Sequence, residues 1–188
     1  MSTLRDGTAA LVQLVDTALE AGTTEQIVDH LRGGLCELVS FGGVELPANL
    51  TTSCGDHYAR RLVHEDVARG YSIIAMTWGP HQGTSLHDHA GLWCVESVWR
   101  GNIEVLQYEL MEQRDALFRF EKRGSIRAGV GSAGCLIPPH EYHVIRNPTE
   151  RPAVSVHIYG GRMESCNVFE EATAGWHRRH LKPLGLDA

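Results

Sequence analysis

His87-Asp88-His89-Ala90-Gly91-Leu92-Trp93-Cys94-Val95-Glu96-Ser97-Val98-Trp99-Arg100-Gly101 is the stretch on which the fold turns. In a strand, side chains two apart point to the same side, so His87 and His89 offer two imidazoles to one face while Asp88 turns away. Alone, an H-x-H pair is weak evidence, because surface histidines pair by chance. Its surroundings strengthen it. Four residues separate His89 from Cys94, six more separate Cys94 from Gly101, and farther on Pro138, His143 and Asn147 stand in the spacing P-x-x-x-x-H-x-x-x-N. The chain holds 11 histidines in 188 residues, and some of them crowd around Leu86 and around Tyr142. Such crowding is a first sign of metal.

Outward from this stretch the chain has two textures. Leu11, Val12, Leu14, Val15, Ala18 and Leu19 recur at helical spacing. A second helix is expected after Gly22, where Thr23 and Gln26 have the spacing of a capping box before Ile27, Val28 and Leu31. The first forty residues or so therefore read as helical. From Tyr58 onward come short β-favouring runs: Tyr71 to Trp78, Cys94 to Trp99, Ile103 to Leu110, Leu117 to Glu121, Cys135 to Ile137, His143 to Arg146 and Ala153 to Tyr159. Gly79-Pro80, Arg100-Gly101-Asn102, Arg123-Gly124-Ser125 and Asn147-Pro148 punctuate them. Strands at this regular spacing favour a sandwich or barrel. The basic tail from Trp176 to Lys182, with His177 and His180, reads as a solvated surface segment.

The bulk numbers bound the class. A length of 188 residues and 43% hydrophobic content fit one globular domain with a proper core, residues 1–188, its first 45 or so packed on the barrel as helices. The net charge of −6 is spread along the chain, which argues against nucleic acid, since that partner needs a basic face. No run approaches the length of a membrane span, and the N-terminus lacks an apolar targeting core, so the expected location is the cytoplasm. The five cysteines, Cys36, Cys54, Cys94, Cys135 and Cys166, are odd in number, scattered and without a C-x-x-C pair, so neither a disulfide framework nor a thiolate zinc site is indicated. A monomer or weak homo-oligomer is expected.

The two histidine segments resemble the metal-binding motifs of the cupin superfamily, a jelly-roll β-barrel in which the first motif supplies two histidines and usually a glutamate, and the second a further histidine. Here Cys94 stands where most cupins place the glutamate, and His140 replaces the glycine of the second motif. Three neutral imidazoles, His87, His89 and His143, leave adjacent metal positions open, as the 2-His-1-carboxylate face does, with one negative charge fewer. A thiolate could supply that charge. The resemblance thereby narrows to thiol dioxygenases, and to the cysteine dioxygenase family in particular, over most of the chain from Tyr58 to Cys166.

The family resemblance implies one Fe(II) per chain on those three histidines, dioxygen as co-substrate and a small thiol as substrate. Tyr58-Ala59-Arg60-Arg61-Leu62-Val63 looks like the family segment whose arginine, here Arg60, binds the substrate carboxylate, with Tyr58 as pocket wall. Cys94 matches the cysteine that becomes joined by a thioether to a tyrosine, here Tyr159. Ser155-Val156-His157-Ile158-Tyr159, with Cys166 beyond, looks like the family's Ser-x-His-x-Tyr triad and distal cysteine. The residues agree, because Ser155, His157 and Tyr159 share one face of a strand, and a hydrogen-bonded chain among them would satisfy three buried polar groups.

The implied activity is oxidation of L-cysteine to cysteine sulfinic acid. Two alternatives stand beside it: a thiol dioxygenase for 3-mercaptopropionate or mercaptosuccinate, and a non-catalytic metal-binding cupin. Gly160-Gly161 replaces the Ser-Pro-Pro of animal cysteine dioxygenases and is nearer to bacterial mercaptopropionate dioxygenases, which in turn carry glutamine at the position of Arg60 and lack a cysteine matching Cys94. Plainer readings are also available: a surface Arg60, a Cys94 that merely packs, exposed loop positions for His140 and Tyr142, structural thiols at Cys36, Cys54 and Cys135, a pocket-mouth Cys166, and core positions for Trp78 and Trp99.

Overall fold

The computed structural model describes residues 5–139 and 141–188. His140 lies outside the described residues. The N-terminal segment comprises β1 (Arg5–Asp6), α1 (Gly7–Ala18), α2 (Thr24–Phe41), β2 (Val44–Glu45) and α3 (Ala48–Thr51). The expected capping box closes α2: the Thr23 hydroxyl accepts from the Gln26 backbone and the Gln26 side chain accepts from the Thr23 backbone. Together they satisfy two of the N–H groups that the first turn leaves without partners.

Eleven strands follow: β3 (Ala59–Asp66), β4 (Tyr71–Trp78), β5 (Leu86–His87), β6 (Cys94–Arg100), β7 (Asn102–Arg114), β8 (Leu117–Gly129), β9 (Ala133–Leu136), β10 (His143–Arg146), β11 (Ala153–Tyr159), β12 (Ser165–Thr173) and β13 (Trp176–Pro183). One sheet has the order β3-β4-β11-β6-β9, and the other runs β10-β5-β12-β13-β8-β7 and closes on itself through antiparallel pairing of β7 with β10. The β-dominated cupin barrel with a helical N-terminal segment is the architecture found.

Alternation explains why β4 and β11 are buried along their whole length. Tyr71 and Ile73 of β4 and Val156 and Ile158 of β11 pack outward against Leu11, Val15, Leu31 and Leu35 of the two helices. Ile74, Met76 and Trp78 of β4, with Tyr159 of β11, point inward to the barrel core. A strand covered on both faces needs apolar or satisfied side chains at every position, which is why Tyr71 to Trp78 reads as a nearly continuous apolar run. Burying one such aliphatic side chain contributes about 2 kcal/mol.

Two expectations need correction. Arg123-Gly124-Ser125 is no turn; it lies inside the 13-residue strand β8, where Gly124 faces Gln107 beside a register shift at Gln107/Tyr108. The bulge takes up Arg123, and the ladder continues on either side of it. The basic tail is strand β13, paired with β12 and β8, although most of its side chains are exposed as expected. Charged side chains on a solvent-facing strand leave no alternation for a sequence reading to detect. Strands β5 and β12 likewise carried no assignment, the first because it spans only two residues.

Candidate active site

β5 and β10 bring the histidines together. His87 pairs directly with His143 across the two strands, and their Nε2 atoms lie 3.2 Å apart. The ring centroid of His89 lies 5.4 Å from that of His87 and 4.8 Å from that of His143. The turn after His89 runs through left-handed backbone at Ala90 (φ 53°) and Gly91 (φ 79°), returning the chain so that Cys94 opens β6 opposite Tyr159 of β11. β5 ends at His87, so Asp88 and His89 lie in the loop beyond it and not in the strand that the H-x-H reading supposed; Asp88 accepts from the Asn167 backbone (2.9 Å) and the Asn167 amide (2.7 Å), tying that loop to β12. Glu141, which nothing in the sequence singled out, accepts the backbone N–H of His89 at 3.0 Å and fixes that segment from the β10 side. Asn147 of the second motif is a structural knot. Its fully buried amide donates to the carbonyls of Trp78, Gly79 and Arg151.

The three imidazoles suit a cation. His87 Nδ1 contacts the Ser85 carbonyl at 3.0 Å and must donate to it, which leaves the Nε2 lone pair aimed at His143 Nε2. Burial holds the pKa of all three rings below the ordinary histidine value, so they are neutral, and their potential ligand atoms lie within 4.8 Å of one another. Converging lone pairs without protons repel unless a metal sits between them, and neutral imidazole is the metal-binding form. Iron(II) fits this donor set.

The cavity lined by His87 and His89 also has Arg60, Tyr58, Met163, Tyr159, Cys166 and Lys182 on its wall. Arg60 is buried, not a surface arginine. Its guanidinium donates to the Gly185 carbonyl (2.9 Å) and the Met163 carbonyl (3.3 Å), which leaves three of its five N–H donors for a ligand. Its neighbour Arg61, on the other face of β3, is taken up by the carbonyls of Thr52 and Ala188 and by Thr77. Tyr58 sits one residue before β3, not within it, and stacks on Trp78 at 4.9 Å, with the Lys182 ammonium 5.7 Å from its ring. Cys166 is buried within the cavity wall rather than at its mouth, and burial pushes its thiol up to about 11. Among the described residues that line this cavity there is no Asp or Glu.

Tyr159 and Cys94 are direct partners across β11 and β6, with the phenol beside the thiol. Both are buried, and burial raises both pKa values well above their ordinary ones, so both are neutral. The Tyr159 ring lies 5.8 Å from that of His89. The expected three-residue chain holds only in part. Ser155 Oγ and His157 Nε2 are 2.8 Å apart, but His157 and Tyr159 stack face to face at 6.1 Å, and no hydrogen bond joins them. Residues two apart on a strand stand about 6.6 Å from one another, too far for parallel rings to bond. The chain runs the other way, from Trp78 Nε1 to Ser155 Oγ (2.9 Å), on to His157, and then toward Glu96, whose carboxylate oxygen lies 3.4 Å from His157 Nδ1. Burial pushes Glu96 up to about 7 and His157 down to about 3.

Gly160 and Trp93 form one packing unit, since a Cβ at Gly160 would come within 2.2 Å of the Trp93 indole. Tyr142 is half-buried against Phe120 and Phe169 instead of exposed. Trp78 is fully buried, Trp99 half-buried, and all five cysteines are free thiols. No helix among the described residues is long and apolar enough to cross a membrane.

Known proteins were compared with this chain. Human cysteine dioxygenase type 1 is 23% identical over 125 residues, and the zebrafish protein 25% over 117 residues; each match covers 62% of this chain. The chain spans 57% of the length of these curated relatives. A Klebsiella pneumoniae protein with a double-stranded β-helix domain matches in structure with a TM-score of 0.47 at 15% identity, covering 60% of this chain and 79% of that one. The family model for cysteine dioxygenase type I matches residues 52–172, nearly two thirds of the chain and every residue of the triad and cavity named above except Lys182. By that match, the chain belongs to the cysteine dioxygenase type I family.

Proposed function

We propose that the protein is an Fe(II)-dependent thiol dioxygenase that converts L-cysteine and dioxygen to cysteine sulfinic acid. One observation carries this reading: three neutral imidazoles converge, and two of them, His87 and His89, line a cavity that also holds a buried arginine and a buried tyrosine paired with a cysteine. A surface histidine cluster would have none of these companions.

In this reading His87, His89 and His143 hold the metal, which would lower the pKa of a coordinating thiol and exchange electrons between sulfur and dioxygen. The balance closes without a reductant, because sulfur gives up four electrons, dioxygen takes four, and both oxygens end on sulfur. Arg60 orients the substrate by a charge-assisted contact to its carboxylate, which sets the distance from anchor to sulfur. Tyr159 keeps its proton at the phenol oxygen, where it donates to oxygen atoms forming the sulfinate. Trp78, Ser155 and His157 hold the inner face of β11 rigid behind it. Met163 and Val168 shut water from the apolar side.

One observation favours a second substrate. With Arg60 and Lys182 on its wall and no carboxylate, the cavity offers an ammonium group no anionic partner. An amine-free thiol acid, 3-mercaptopropionate or mercaptosuccinate, meets this wall without that penalty. The test is oxygen uptake by iron-loaded protein across cysteine, cysteamine, 3-mercaptopropionate and mercaptosuccinate, with sulfinate measured by mass spectrometry. Uptake with matching sulfinate is expected for thiols that carry a carboxylate. If no thiol stimulates uptake, the protein is a metal-binding cupin without this activity.

A further inference from the structure

We propose that Glu96 is a positioning residue that fixes the tautomer of His157, holding the ring proton on Nδ1, toward the Glu96 carboxyl. For its activity arm alone, this rests on the dioxygenase reading.

The protons can be placed by elimination. An indole N–H only donates, so Ser155 Oγ accepts from Trp78 Nε1 across 2.9 Å. Among the described residues the Ser155 hydroxyl proton has no acceptor other than His157 Nε2, 2.8 Å away, so Nε2 accepts it. The ring proton of His157 therefore sits on Nδ1. That atom is buried and faces Glu96 Oε2 at 3.4 Å, and neither atom makes a hydrogen bond in the structure. Two orphaned polar atoms facing each other in the core are each other's partner, because leaving either one unpaired costs about 1–3 kcal/mol. The pairing is built into the sheet, where His157 stands directly opposite Glu96 as Tyr159 stands opposite Cys94.

A carboxyl is tolerated here for a structural reason. Glu96 borders a second cavity, of about 160 Å³, between the sheets; Val98, Ile103 and Val105 line its apolar side, and Ser155, His157 and His143 lie along the other. A cavity of that size with polar groups on its wall has room for water beside the carboxyl, while the inner oxygen accepts from His157 Nδ1–H. A ring held flat against the Tyr159 phenol, 6.1 Å away with 15° between planes, also supports that phenol from behind.

The experiment compares wild type, Glu96→Leu and Glu96→Gln as full chains. Side-chain nitrogen NMR of zinc-loaded protein reads the His157 tautomer, with the resonance assigned by its loss in His157→Gln. The expected result is Nδ1–H in wild type and in Glu96→Gln, whose amide oxygen still accepts, and loss of that single tautomer in Glu96→Leu. In the iron-loaded proteins, kcat should fall at least roughly tenfold in Glu96→Leu with thiol KM changed less than about twofold, and Glu96→Gln should stay within about threefold of wild type. An Nε2–H tautomer in wild type overturns the proposal, even if the leucine variant fails to fold. So does a glutamine variant no better than the leucine variant. If wild type oxidises no thiol, the dioxygenase reading falls, while the NMR result still decides the role of Glu96.

Discussion

Replacing Glu96 by glutamine should change how stability depends on pH, and the size of the change follows from its burial. The side chain is 12% exposed, and desolvation holds its carboxyl at about 7 against an ordinary 4.5. An unfolded chain loses this proton near the ordinary value, whereas the folded chain keeps it to about 7. Between those values the native state binds more protons than the unfolded one, so the stability associated with Glu96 is fully present below about pH 4.5 and drains away as pH rises toward 7. A shift of some 2.5 units at about 1.4 kcal/mol per unit amounts to roughly 3 kcal/mol. Glutamine titrates in neither state. The difference in unfolding free energy, Glu96→Gln minus wild type, should therefore be flat below about pH 4, rise by about 3 kcal/mol up to pH 7 and level off. Histidines away from Glu96 cancel in that difference, and His157, pushed down to about 3 by burial, stays neutral in the folded chain across this range. At about 2–4 °C per kcal/mol for a chain of this size, the relative gain in Tm is about 10 °C across the range. Paired urea titrations of metal-free protein from pH 4 to pH 8 provide the assay. Parallel curves, or a difference that shrinks as pH rises, would refute the reasoning.

Alanine at His87, His89 or His143 should strip iron from a barrel that stays folded, since two imidazoles hold a divalent ion much more weakly than three; metal analysis beside circular dichroism checks this. Arg60→Ala should raise KM for cysteine by a factor corresponding to about 2 kcal/mol or more while leaving cysteamine oxidation unaffected, as steady-state oxygen uptake will reveal. Lys182→Gln should lower kcat/KM for mercaptosuccinate more than for 3-mercaptopropionate, because only the former carries a second carboxylate for that ammonium to meet. Protein turned over with iron, oxygen and thiol should yield a tryptic peptide pair joined through Cys94 and Tyr159, and Cys94→Ser should keep reduced activity; a Cys94 that remains fully alkylatable after turnover and denaturation would sink the cross-link.

Much of this site was legible from alternation alone. Ser155, His157 and Tyr159 had to share a face once Ala153 to Tyr159 was read as a strand, whereas β5 ends at His87 and His89 joins the triad from the loop that follows it. What stayed hidden were groups whose role arises only across strands. Glu96 looks like any charged residue until the β6–β11 register sets it opposite His157, and Glu141 counts only because the fold returns it to the His89 backbone. Lys182 belongs to a tail whose charged, exposed pattern is that of a solvated segment, yet pairing with β12 carries its ammonium to the pocket wall. The hydrogen bond expected from His157 to Tyr159 failed for a local reason: shared facing sets direction, whereas spacing along the strand keeps the rings apart.

The direct pairing of Cys94 with Tyr159 bears on the working life of the molecule. The two residues touch in space but are separated by about 65 positions of chain. A covalent bond there would close a long loop in the unfolded ensemble and, on the chain-entropy estimate used for cross-links, add about 4 kcal/mol to the unfolding free energy. Molecules that had turned over would be hardier than those freshly made. A preparation would then contain a young and an aged population that melt apart, and the fraction in the upper transition would record how much catalysis the sample had already performed.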